Sequence, residues 1–213
     1  ADGHVYAMNP ASRKEGADFP ASGEWSFPAD AELRPFYAAP YVEGGTVYVA
    51  AMFGQGGIPF FGAPRLDAYV YILDAATGRK RLDAIPLETS ELAIGSPVAD
   101  KETLFVAAGK HVFALDKSTG KPRWQKPFEA DGKIWSNLVI SENTLYFGSL
   151  DHKVYALNTL TGEPRWPPFV TEGAVAATPL VVGGVIYVGS FDGNLYAIDA
   201  ASGKAVWPRP FKG

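Results

Sequence analysis

Three histidines, His4, His111 and His152, are the side chains of this 213-residue sequence that ordinarily titrate near neutral pH, and cysteine is absent. Without Cys there are no disulfides, thiol nucleophiles, thiolate metal sites, Fe–S clusters or c-type haem attachments. Each His stands at the mouth of a short apolar run. His111 directly precedes Val112, whereas His152 lies two residues before Val154. Unequal offsets on separate elements would hold the rings well apart, so they read as polar turn residues and no metal site is expected. Acidic residues recur between runs, at Asp30 and Glu32, Glu88 and Glu91, Glu129 and Asp131, and Glu172. They read either as solvated loop charges or as a negative face for a cation or a basic partner. None has the spacing of a Ca²⁺ loop, and Asp192-Gly-Asn194 reads as a hairpin turn. No nucleophile–base pair, phosphate loop or zinc-protease motif is present. Catalytic, cofactor-binding and metal-binding residues are therefore expected to be none.

The elements that would position any site have to be built from a punctuated chain. It holds 23 Gly and 17 Pro, which argues for many short elements joined by tight turns and against long helices. Hydrophobic residues make up 47% and aromatics 13%, which excludes a disordered chain. A formal charge of −4 excludes nucleic-acid binding through a global basic field. No apolar run approaches the roughly 18 residues of a membrane-spanning helix. The sequence starts at Ala1 without Met or a signal segment, as expected of a mature, excised or recombinant chain.

A repeat organises this punctuation. Val70-Tyr-Ile-Leu-Asp-Ala-Ala-Thr-Gly78 returns as Val112-Phe-Ala-Leu-Asp-Lys-Ser-Thr-Gly120. It returns again as Val154-Tyr-Ala-Leu-Asn-Thr-Leu-Thr-Gly162 and Leu195-Tyr-Ala-Ile-Asp-Ala-Ala-Ser-Gly203, at spacings of 42, 42 and 41. A degenerate copy, Val5-Tyr-Ala-Met-Asn9, opens the chain, with its Ser22-Gly23 displaced by an insertion and Trp25 next. A second strand precedes each complete copy: Thr46 to Ala50, Thr103 to Ala107, Thr144 to Gly148 and Val185 to Gly189. A third segment before that holds Ala39-Pro40, Ser96-Pro97, Asn137-Leu138 or Thr178-Pro179. A fourth comes after the glycine and ends in Trp124, Trp166 or Trp207, with Leu82 at that place in the remaining copy.

Four β-prone segments in about 40 residues form a unit that cannot bury both faces alone, and stacking such units around an axis solves the problem. The expected fold is all-β, a β-propeller of four-stranded antiparallel blades. It has four complete blades, residues 29–87, 88–128, 129–169 and 170–213, after a half-blade of the two outer strands in residues 1–28. In each turn the Asp or Asn would accept backbone N–H groups, and Gly78, Gly120, Gly162 and Gly203 would take the left-handed position. Each Trp ring would cover the neighbouring blade, with its N–H on a turn carbonyl. The half-blade would leave an unpaired strand edge. Three resolutions are open: a longer, eight-bladed parent, capping by a second copy or another chain, and a closed five-bladed ring.

The pattern aliphatic-Tyr-Ala-Leu-Asp-x-x-Thr-Gly-Lys-x-x-Trp resembles the tryptophan-docking repeat of the quinoprotein alcohol dehydrogenase-like propellers, the PQQ-like repeat family. Asp116 to Trp124 and Asp199 to Trp207 match it best, Asn158 to Trp166 carries Glu163 where Lys is usual, and Leu82 departs from it. The resemblance implies Trp25, Trp124, Trp166 and Trp207 as structural docking residues. It also implies a place outside the cytoplasm, periplasmic or extracellular. Quinone-binding members stack pyrroloquinoline quinone between a Trp and a disulfide of adjacent cysteines, beside Ca²⁺ ligands and a catalytic Asp. The missing Cys turns the expectation toward the scaffold branch, which includes the propeller lipoprotein of outer-membrane assembly. The expected function is thus a non-catalytic scaffold without cofactor that presents loops to a protein partner. The alternative is a segment of a quinone-dependent alcohol or sugar dehydrogenase, with PQQ and Ca²⁺.

One loop stands out as a partner contact. Between the second and third strands of the first complete blade lies an insertion, Phe53-Gly-Gln-Gly-Gly-Ile-Pro-Phe-Phe-Gly-Ala-Pro-Arg65. Phe53, Phe60, Phe61 and Arg65 on it would either meet a partner or cover the apolar surface of their own blade. Trp135, where other copies have Tyr37, Ile94 and Ala176, would plug the axial channel or stack a ligand.

Overall fold

Each Asp/Asn-to-Gly segment of the repeat folds into the same turn because one short polar side chain gathers the backbone around itself. The Asp74 carboxylate accepts N–H groups of Ala76 and Thr77 at 3.1 and 3.0 Å, and the Thr77 hydroxyl at 2.9 Å. Asp116 repeats this with Ser118 and Thr119, and Asp199 with Ser202. Asn158 does it with a neutral carbonyl, accepting the N–H of Leu160 at 2.8 Å. The main chain closes each turn with a 2.8 Å bond from the glycine N–H to the Asp or Asn carbonyl. Such local bonds fix where each hairpin reverses.

The computed structural model describes residues 4–8, 23–28, 36, 38–54, 66–89 and 95–213. Among them are eighteen β-strands and no helix, so none is long and apolar enough to cross a membrane. The chain divides into two compact units, Ala1–Ser90 and Glu91–Gly213.

The first unit holds a two-stranded antiparallel sheet, β1 (Val5–Ala7) and β2 (Trp25–Phe27). It also holds one four-stranded meander: β3 (Tyr41–Glu43), β4 (Thr46–Gly54), β5 (Leu66–Asp74) and β6 (Ile85–Leu87). Val5, Trp25 and Phe27 pack with Val47, Val49, Tyr71 and Leu73. These are alternate residues of β4 and β5, as a pleated sheet buried on that face requires.

The second unit contains three such meanders. The first is β7 (Val98–Ala99), β8 (Thr103–Ala108), β9 (His111–Asp116) and β10 (Phe128–Glu129). The next is β11 (Val139–Ser141), β12 (Thr144–Ser149), β13 (Lys153–Asn158) and β14 (Phe169–Val170). The last is β15 (Leu180–Val182), β16 (Val185–Gly189), β17 (Asn194–Asp199) and β18 (Phe211–Lys212). Register repeats with the sequence: Phe105 faces Ala114, Tyr146 faces Ala156 and Tyr187 faces Ala197. The central strands β12 and β13 are buried on both faces because successive sheets stack. Phe105, Ala107, Val112 and Ala114 meet Leu145, Phe147, Tyr155 and Leu157 in one cluster. Tyr146, Val154 and Ala156, on the opposite face of that second sheet, meet Ile186, Val188, Tyr196 and Ile198. These are the four-stranded blades of a β-propeller, with a two-stranded half-blade in the first unit.

Three local expectations change. The inner strands start just after the Ala-Pro, Ser-Pro, Asn-Leu and Thr-Pro pairs and not before them, so Trp135 precedes β11 and lies on no strand. The outer strands of the three complete Trp-bearing blades do not end at the tryptophans either. After each glycine the chain touches its neighbour at a single bridge, Pro122 to Leu115, Pro164 to Leu157 or Ala205 to Ile198. It then bends through the Trp and pairs again at Phe128, Phe169 or Phe211. Proline and the bulky Trp interrupt the ladder there, leaving outer strands of two residues. Finally, β4 and β5 are nine residues long and pair Phe53 with Asp67 and Gly54 with Leu66. Phe53 therefore sits on a strand extension and not on a loop, while Phe60, Phe61 and Arg65 lie outside the described residues.

Candidate partner-binding rim and interblade tryptophan seats

The turn glycines form seats for tryptophan. Gly78, Gly120, Gly162 and Gly203 have φ of 68°, 71°, 76° and 69°, the left-handed region that costs other residues about 1–2 kcal/mol. A side chain would also have no room at three of them. A Cβ on Gly162 would come within 2.7 Å of the Trp124 ring, on Gly78 within 2.6 Å of Trp25, and on Gly203 within 2.5 Å of Trp166. Each ring thus lies flat on the turn of the following blade. Its indole N–H donates to a carbonyl there: Trp25 to Ala75 at 2.9 Å, Trp124 to Thr159 at 2.9 Å and Trp166 to Ala200 at 3.1 Å. One side chain supplies buried area and a satisfied donor, with few rotatable bonds to freeze. Trp207 is half-buried and packs on Tyr187 of its own blade, with ring centroids 5.8 Å apart. Leu82, also half-buried, stands at the corresponding place of its blade.

The opposite end of the second unit is a rim built from the turns between the second and third strands of each blade and the connections that join blades. Backbone bonds zip the connections to turns on both sides. Ala130 and Ile134 donate to Lys110 and Gly109, while Leu150 donates to Lys133, all at 2.9 Å. One blade on, Thr171 and Val175 donate to His152 and Ser149, while Phe191 donates to Ala174, at 2.8–2.9 Å. Ser136, fully buried, both donates to the Gly148 carbonyl and accepts its N–H. Side chains projecting from this rim therefore stand on a fixed support.

The rim charges are largely paired. Glu129 meets Lys110 at 2.5 Å, Asp131 meets Lys153, and these ammonium groups hold both carboxyls below the usual carboxylate range. Asp151 and Asp192 accept the Tyr155 and Tyr196 hydroxyls at 2.6 and 2.8 Å. Burial, reinforced by those carboxylates, pushes both phenols above their ordinary value. The negative face suggested by the acid-rich connections is thus partly neutralised. Exposed apolar side chains remain: Trp135 at 58%, Val170 at 65% and Phe191 at 72%. Trp135 stands in solvent here and fills no packed core. Phe191 and Val170 were not singled out from the sequence. The usable signal was an apolar residue at a turn tip, Ser190-Phe-Asp-Gly193, where Gly and polar residues dominate.

The histidines form no cluster. His4 packs near Tyr6, His111 opens β9 opposite Glu129, and exposed His152 occupies a turn with φ of 69°. Among the described residues no group of three or more His, Asp or Glu could hold a metal ion.

A family profile described as outer membrane protein assembly factor BamB matches residues 66–213. No curated protein matches the sequence. Among solved structures, BamB from Moraxella catarrhalis superposes with a TM-score of 0.65 at 21% identity, over 86% of this chain and 51% of that one. The chain therefore spans about half the length of that protein. Quinohemoprotein alcohol dehydrogenase from Comamonas testosteroni gives 0.65 at 17% identity, over 84% of this chain and 35% of that one. The computationally designed Ika4 protein gives 0.61 at 16% identity, over 76% and 89%. These identities speak for the fold alone.

Proposed function

The chain belongs to the family of the outer membrane protein assembly factor BamB, and on that footing we propose that it is a non-catalytic propeller scaffold. It acts outside the cytoplasm, and its rim docks a protein of an outer-membrane protein assembly machine. The observation that carries the reading is the exposure of Trp135 and Phe191 on a rim whose backbone is zipped by hydrogen bonds. Large aromatics cost few rotamers when they bind and dominate interface energetics, and a fixed support removes the cost of ordering a loop. Paired Lys–Glu and Lys–Asp groups on the same rim would supply the polar margin usual for such contacts. The insertion carrying Phe60, Phe61 and Arg65 belongs to the same reading, as a further partner contact from the first unit.

The test is a titration of the chain against purified components of an outer-membrane protein assembly machine. The Trp135→Ser/Phe191→Ser double variant should bind at least tenfold more weakly while its melting temperature stays within about 3 °C, since both side chains are exposed. Equal affinity of variant and parent would remove the rim from the interface. Replacing Phe60 and Phe61 by Ser asks the same of the insertion. A large drop in melting temperature there would show those rings covering their own blade.

A further inference from the structure

One ionic contact recurs in the repeat and then breaks. Seven residues after the turn Asp stands an arginine: Arg81 donates to Asp74 at 2.8 Å, and Arg123 to Asp116 at 3.1 Å. The third complete blade keeps the arginine and loses the acid, since Arg165 follows the neutral Asn158. The fourth keeps the acid and loses the arginine, since Asp199 is followed by Val206. Among the described residues, Arg165 donates only to the Asn143 carbonyl, at 3.0 Å, and Asp199 accepts only from Ala201 and Ser202 of its own turn. No ion pair joins either of them to a described residue, or to each other.

Both orphaned charges line one groove of about 590 Å³ inside the second unit, away from the rim. Arg165 comes from the third complete blade and Asp199 from the fourth, so each wall brings one. Glu142 adds a second carboxylate without a described partner. It sits in a turn with φ of 54°, where the sister turns have Gly44 and Gly183 at 53° and 57°. Left-handed backbone disfavours a side chain, so the turn itself would be better served by glycine. Tyr146, 4% exposed, brings a hydroxyl to the same groove. Phe105 fills the matching place one blade earlier without a hydroxyl, so packing does not require one. Burial raises the Tyr146 phenol above its ordinary value. A bond with Thr144 and the Arg165 charge pull it down, while Glu142 and Asp199 push it up, so all three charges act on one hydroxyl.

We propose that this groove binds a small basic zwitterion, the chemistry of a basic amino acid such as lysine. Its carboxylate meets Arg165, and its two ammonium groups meet Asp199 and Glu142. Charge sets the occupant: one cation and two carboxylates, none of them paired, are complemented by a ligand with one carboxylate and two cations. A planar guanidinium offers a carboxylate two parallel N–H groups, and the groove has the size of a small-ligand site. This site stands apart from the rim and does not depend on what docks there.

Titration calorimetry of the 213-residue chain with L-lysine at low ionic strength tests this. L-Lysine should bind at least tenfold more tightly than L-glutamate, which carries the wrong net charge, or cadaverine, which lacks the carboxylate. Two substitutions restore the pairing of the other blades and should close the site. Asn158→Asp gives Arg165 a carboxylate, and Val206→Arg gives Asp199 a guanidinium. Each should weaken L-lysine binding at least tenfold without lowering the melting temperature, because Asp serves the sister turns and Val206 is exposed. Arg165→Gln should erase the preference for L-lysine over cadaverine. No binding up to ~10 mM L-lysine would overturn the proposal. So would equal binding of L-lysine and cadaverine by the parent, or an affinity unchanged in both Asn158→Asp and Val206→Arg.

Discussion

At the scale of single residues, the Asp and Asn of the repeat show what a side chain of a few atoms can fix. In the turn after β9, the Ser118 and Thr119 hydroxyls hold the Asp116 carboxyl far below its ordinary value of 3.8. The Arg81 guanidinium, ahead of the Thr77 hydroxyl, lowers Asp74, and Ser202 lowers Asp199. Because the folded state binds these protons more weakly than the unfolded chain, the carboxylates stabilise the fold fully above the ordinary carboxylate range. That contribution is lost as pH falls from about 4 through the depressed folded values. Asn158 performs the same gathering without a charge, so Asp116→Asn should fold normally and melt with a shallower dependence on pH below 4. Thermal melts of parent and variant between pH 2 and 6 check it, and parallel curves would show that the Asp116 charge is immaterial to stability.

At the scale of elements, strands of two or three residues on the inside and outside of each blade cannot carry the fold by pairing alone. Stability comes from the long central strands, buried on both faces, and from the tryptophans that fasten each blade to the next. Trp166→Ala empties a ring-sized space over Gly203 and removes the donor to Ala200, and should cost about 3–5 kcal/mol in denaturant titrations. Trp207→Ala should cost much less in the dilute chain, because that ring is only half-buried. Equal losses at the two positions would contradict the seating of Trp166.

At the scale of the whole molecule, the fold is shared by assembly scaffolds and quinone enzymes, so function has to be read from sites. The scaffold reading calls for no cofactor. Added pyrroloquinoline quinone and Ca²⁺ should therefore leave the melting temperature unchanged at saturating concentrations, whereas a bound cofactor would raise it by mass action. A clear rise would move the assignment toward the quinone-dependent dehydrogenases.

Residue pattern alone was enough to reveal the repeat and its local consequences: four hairpin-closing glycines, the central strands of each blade, and the tryptophans after three of those four turns. These are local properties, set by alternation and by side chains that bond their own backbone, and a 42-residue spacing repeats them legibly. The half-blade was legible too, as a copy with two strands where the others have four. Packing between blades was needed to show that Trp124 lies in a bend and not on a strand, because the pull on its ring comes from Gly162 in another blade. It likewise separated Trp135 and Phe191, which stand in solvent, from Trp166, which does not. Exposure depends on which sheet stacks against which face, and residues distant in sequence set that. No period or spacing in the chain can record it.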